Sequence, residues 1–190
     1  MRRLRQLLLA GLLGAALIGA RARTVRDALL SMPFELMAPV APETLTDLLD
    51  YAEAGRIDHV ARNDMGGNAQ FLALDSLGAR LQTGEGRILA LQLLPTAGDT
   101  LLLLTETLAA PQPDSRTAVY SSKWKELRPI SPEVAATAPS PEDILLYEHV
   151  YDPDSRTLKV LVRAAGNDAV IAETSFPIDD KFLKKLPKRK

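Results

Sequence analysis

The sequence predicts an α+β protein in which N-terminal helices pack on an antiparallel meander sheet. Three observations carry that reading. Two segments before residue 55 repeat their apolar residues at spacings of three and four. From Ile57 the period changes to two. The later runs are separated by turns of a few residues, which join antiparallel neighbours, because parallel strands need a long crossover.

In chain order, Val25, Ala28, Leu29 and Met32 give one apolar helical face, and Pro33 ends it. A second helix starts at Pro42 with Glu43 in its first turn. It buries Leu45, Leu48, Leu49 and Ala52, and stops at Gly55. Strand-like runs then follow at Phe71 to Asp75, Ala79 to Thr83, Ile88 to Leu94, Thr100 to Leu108 and Thr117 to Ser121. Ser76-Leu77-Gly78, Gly84-Glu85-Gly86 and Ala97-Gly98-Asp99 divide the first four. Leu101 to Leu104 is apolar without alternation, the pattern of a strand covered on both faces.

Residues 129–144 form a Pro-rich connection, read as short helices between extended pieces, with Ser131-Pro132 and Ser140-Pro141 as N-cap pairs and Asp143 closing a capping box. A second meander occupies 145–190. It has strands at Leu145 to Tyr151, Thr157 to Ala164 and Ala169 to Phe176, then a short helix from Asp179-Asp180 into lysines. The organisation is therefore 23–128, helices plus sheet; 129–144, connection; 145–190, strands, helix and basic tail. It leaves room for two related subdomains.

The first 22 residues read as a signal peptide. Arg2, Arg3 and Arg5 form a basic n-region, Leu7 to Ala20 is uncharged and apolar, and Ala20-Arg21-Ala22 offers small residues for cleavage before Arg23. The expected address is the periplasm or the exterior, with no membrane span after cleavage. Removing residues 1–22 takes away four arginines and no acid, so a formal charge of −1 becomes −5. The last ten residues hold six bases and no acid, so residues 23–180 carry −11. An acidic body excludes a nucleic-acid footprint. The tail could touch an anionic surface weakly.

Without Cys, disulfides and thiolate metal sites are excluded, and two His leave no metal or other cofactor expected. The sharpest polar cluster is Asp58, His59 and Asp64 with Gly66 and Gly67. Here His59 could act as a general base, with amides approaching a substrate at the glycines. The structural alternative is a polar strand end and a Gly-Gly turn with positive φ. No nucleophile motif accompanies it, so no residue is assigned as catalytic. Glu148-His149 point to opposite faces of a strand and make no metal pair. Trp124, between Lys123 and Lys125, is either a binding edge or an anchor to the core, the commoner role of Trp.

Three pieces in this order and spacing carry a family resemblance. They are Arg26-Asp27-Ala28 through Ser31-Met32-Pro33 with Leu36-Met37-Ala38-Pro39; Asn63-Asp64-Met65-Gly66-Gly67; and Leu93-Leu94-Pro95 with Tyr120 to Leu127. From about Arg26 to Leu127 the chain resembles a secreted Bacteroidales family catalogued as domain of unknown function 3256. The resemblance implies an exported α+β protein with antiparallel sheet and implies no catalytic residue. The expected role is a non-catalytic envelope module that binds a protein or ligand yet to be identified. A carrier of an apolar ligand and a hydrolase using His59 are the rivals.

Overall fold

The structure, a computed structural model, describes residues 23–97, 99–109, 111–131, 134, 136, 140 and 142–187. The expected signal peptide, Pro132, Pro139, Pro141 and the last three residues of the basic tail lie outside the described residues.

Three helices come first: α1 (Val25–Leu30), α2 (Phe34–Met37) and α3 (Pro42–Glu53). Thr24 caps α1 in a reciprocal capping box with Asp27. Pro42 opens α3, where a missing N–H costs nothing. Gly55, at φ +80°, follows its end as the sequence pattern requires. The short α2 went unpredicted, because four residues carry too little periodicity to show.

Seven strands then pair in sequence order as one antiparallel meander: β1 (Val60–Arg62), β2 (Asn68–Leu74), β3 (Gly78–Gly84), β4 (Arg87–Pro95), β5 (Thr100–Leu108), β6 (Asp114–Tyr120) and β7 (Glu126–Ile130). A second sheet has the order β10-β9-β8, from β8 (Leu145–Asp152), β9 (Thr157–Ala164) and β10 (Val170–Pro177). The chain closes on α4 (Asp180–Leu183), capped by the Asp179 carboxylate on Phe182 N. This is an α+β architecture with antiparallel sheets. Strand β7 escaped the sequence reading because Pro129 and its charges argue against a strand. At the sheet edge Pro removes no ladder bond that matters. At the far end of the connection, half of the expected capping box forms: Ser140 N donates to Asp143 Oδ2 at 2.9 Å, while the Ser140 hydroxyl accepts from Glu142 N at 3.4 Å and Asp143 N donates to the Ser140 carbonyl oxygen. The described residues there form a turn and not a helix.

The large sheet is packed on both faces. The helices bury Ala28, Leu29, Leu48 and Leu49 against Phe71, Leu81, Leu91, Leu102 and Leu104. On the other face Leu94, Leu103 and Val119 meet Leu158 and Val160 of the small sheet and Ile178. This explains the run Leu101 to Leu104: Leu102 and Leu104 enter one core while Leu101 and Leu103 border the other. Each fully buried large side chain contributes about 1.5–3 kcal/mol. The two cores therefore tie three layers to one central strand.

Three polar contacts fasten the helical layer to the sheet. Trp124 Nε1 donates to the Ala28 carbonyl oxygen at 3.0 Å. The Arg87 guanidinium donates to the carbonyl oxygens of Leu36 and Ala38 while its Nε pairs with Glu106 at 2.7 Å. Asp64 N donates to Pro39 O at 3.0 Å, just past a cis Ala38–Pro39 bond. Each acceptor lies near a helix end, where carbonyls have no helical partner.

Between the sheets runs a chain of hydroxyls: Thr105 Oγ1 to Thr117 Oγ1 at 2.8 Å, then Thr117 Oγ1 to His149 Nδ1 at 2.8 Å. Burial pushes the His149 pKa below its usual 6.5, and Asp114 opposes this only in part. The unfolded chain therefore takes up a proton that the folded chain resists. Stability is full above about pH 6.5 and falls as pH drops through and below that value. His149→Asn keeps an amide near Thr117 and cannot titrate. Between about pH 7 and about pH 5 it should lose less stability than the parent. Equal losses in denaturant melts of the two proteins would remove His149 from the acid response.

Candidate functional site

The polar cluster after β1 is built around Asn63, which is 6% exposed. Its Oδ1 accepts from Met65 N at 3.0 Å and Gly67 N at 2.9 Å, and its Nδ2 donates to Thr83 O at 2.7 Å. The backbone closes the same turn through Asn63 N to Gly67 O and Gly66 N to Asn63 O. Gly66 holds φ +79°. Gly67 serves differently: a Cβ there would stand 3.1 Å from Asn63 Nδ2. Gly84, read from sequence as a turn residue, makes room for the same amide. Asn63 is the residue that sequence reasoning noted without weighing. Its signal was an Asn two residues before Met65 and four before Gly67, the reach of a side chain folding back on its own backbone.

His59 turns away from this turn. Its Nε2 lies 3.5 Å from Asp47 Oδ2 on α3, and its ring stacks on Tyr51 at 3.7 Å between centroids. The Arg56 guanidinium also lies over Tyr51, at 4.6 Å. Among the described residues no hydrogen bond or ion pair joins His59 to Asp58, to Asp64 or to a hydroxyl. Asp58 and Asp64 are exposed, and among the described residues Asp64 bonds through its backbone, its N–H donating to Pro39 O. A His–carboxylate pair without a nucleophile or oxyanion donors can orient a ring but cannot complete acyl transfer.

Trp124 is 7% exposed and packs against Tyr120 with ring centroids 5.5 Å apart. It sits at φ 60° in the β6–β7 hairpin, whose turn is held by Ser121 Oγ accepting from Lys123 N and Lys125 N. Trp124 is an anchor to the core, and only Lys123 and Lys125 face solvent. Among the described residues there is no gathering of three or more His, Asp or Glu that could hold a metal. No helix among them is long and apolar enough to cross a membrane.

The candidate site that sequence reasoning missed is an open groove of about 970 Å³ between the β4–β5 hairpin and the C-terminal helix. Its floor is Leu101, Leu127, Leu183 and Leu186; Ala97 stands on its rim. All four leucines belong to, or pack on, the core between the two sheets, so the groove is where that core meets the surface. Asp99, Arg156, Asp180 and Lys184 supply its charges. Arg156 Nη1 pairs with Asp180 Oδ1 at 3.0 Å. Burial pushes the Tyr151 phenol pKa upward, and the nearby Arg156 opposes this only in part. The volume lies at the upper end of the range of small-molecule sites. No local motif announces it, since its residues come from four separate stretches of chain.

A family model described as protein of unknown function (DUF3256) matches residues 17–165. Among solved structures, a domain of an uncharacterized protein from Porphyromonas gingivalis W83 is similar, with a TM-score of 0.55 and 21% identity. That match covers 71% of this chain and 78% of that one, and at this identity it shows the fold alone. No curated protein matches the chain.

The two glycines of the Asn63 turn give a direct test. Gly66→Ala should cost about 1 kcal/mol, because alanine is strained at positive φ. Gly67→Ala should cost a similar or larger amount by displacing the Asn63 amide, for a Tm fall of about 2–4 °C per kcal/mol. Thermal melts of both variants read this. A Gly66→Ala protein as stable as the parent would refute the turn's dependence on glycine.

Proposed function

The chain belongs to the DUF3256 family of proteins of unknown function, and we propose that it is an exported, non-catalytic binding module that uses the groove beside α4. The observation that carries this reading is the groove itself: an apolar floor continuous with the core, and polar groups only around it. The fate of His59 supports the same reading, since its ring is stacked and paired with Asp47 and no hydroxyl is bonded to it among the described residues. Export is supported by the basic, apolar and small-residue segments of residues 1–22. The apolar-ligand reading moves with it from the sheet interior to the surface. Phe71, Leu81, Leu102, Leu103, Val119 and Val160 fill the space between layers at 1% exposure or less.

The groove is tested with the fluorophore anilinonaphthalene sulfonate. The folded protein should bind it saturably at one site. Ala97→Trp, at an exposed rim position, should fill the groove and weaken binding roughly tenfold or more while leaving the melting temperature nearly unchanged. Fluorophore binding indifferent to Ala97→Trp would sink the groove reading. Export is tested by the intact mass of the protein recovered from the envelope of producing cells. A chain starting at Arg23 is expected, and one retaining Met1 would contradict export by cleavage.

A further inference from the structure

Resting on the groove reading, we infer that the ligand is a single-chain amphiphile with an anionic head, of the long-chain carboxylate class. The floor supplies the apolar half of the argument. Leu183 and Leu186 are only 9% and 7% exposed, and Leu101 and Leu127 are half-buried. Leucines recessed in this way suit one flexible chain that enters from above. A flat bilayer surface would rest on the rim and leave them untouched.

The charges supply the other half, because they are divided between two ends of the groove. At the hairpin end Asp99 accepts from Thr100 N at 2.8 Å and from the Ser122 hydroxyl at 3.2 Å. At the helix end stand Arg156, Asp180 and Lys184. Asp180 and Lys184 are four residues apart, so they share one side of the C-terminal helix and its last turn. Asp180 answers one of the two cations through Arg156, and Lys184 makes no ion pair among the described residues. The helix end therefore offers one uncompensated positive charge beside an apolar trough. That charge matches a monoanion. A carboxylate there would accept from Lys184 Nζ, with the chain lying along Leu183, Leu186, Leu127 and Leu101 toward the hairpin. A cationic head at the same end would meet repulsion from Lys184, since Arg156 is answered by Asp180.

The test compares decanoate with decyltrimethylammonium, the same chain with the opposite head charge, by calorimetric titration of the purified protein below micelle concentrations. Decanoate should bind at one equivalent, about tenfold or more tighter than the cation. Lys184→Glu should reverse that preference, Lys184→Gln should abolish it, and Ala97→Trp should remove binding of both chains. Melting curves of each variant confirm that the fold is intact, as expected for exposed positions. Equal affinity for the two heads, or a preference untouched by Lys184→Glu, overturns the carboxylate assignment and leaves the groove reading standing. No binding of either chain by the unaltered protein, together with fluorophore binding indifferent to Ala97→Trp, overturns the groove reading itself. Sedimentation with anionic vesicles but no binding of free decanoate overturns the inference in favour of a membrane surface.

Discussion

The helical layer of this protein is held by backbone carbonyls that its own helices leave unused. Helix α1 is six residues long and α2 is four, so neither has enough turns to satisfy its ends or to be stable alone. At the end of α1, Met32 N bonds Leu29 O, and the Ala28 carbonyl receives the Trp124 indole and the Ser31 hydroxyl instead. After α2, Arg87 takes two carbonyls at once, with Glu106 neutralising it from the next strand. A half-buried guanidinium without that carboxylate would carry the cost of an uncompensated charge. The sheet thus supplies donors at the places where the helices supply acceptors, and the first core fills the space between.

This arrangement gives the family pieces a physical meaning. The segment from Leu36 to Pro39 receives Arg87 and Asp64 N, and the segment from Arg26 to Met32 receives Trp124. The Asn-Asp-Met-Gly-Gly piece is the turn that presents Asp64 N and lets Asn63 reach Thr83. Asp64, through its backbone N–H, and His59, through Asp47 and Tyr51, therefore fasten the segments flanking β1 to the helical layer. Buried polar groups that are fully bonded specify one arrangement of backbone, and such groups need particular residue types as strictly as a catalytic site does.

The groove arises from a different cause. The three-stranded sheet approaches the large one mainly through β8, which lies against β6 and β5. The core between the sheets is closed at one end by the C-terminal segment, with Ile178, Phe182, Leu183 and Leu186 on it. A helix of four residues is a small lid, and beside it the apolar interior comes to the surface. The same segment carries the lysines, so apolar floor and positive charge meet there by construction. The proposed amphiphile follows from that coincidence of a short closing element and its charge.

The sequence by itself determined the local structure. Apolar spacing, Pro42, Gly55 and the turn residues specified the two longer helices and most strands, and Leu101 to Leu104 already marked the strand with two covered faces. These features rest on interactions a few residues apart, which one stretch of chain contains. Only the tertiary structure decided what the polar residues do. His59 found Asp47 and Tyr51, Trp124 found Ala28, and Arg87 found a loop some fifty residues away. The strand with Pro129 became acceptable only as a sheet edge. The groove needed four distant segments to exist at all. Hydrogen bonds and charges act within a few ångströms in space, and a linear sequence does not say which side chains arrive there.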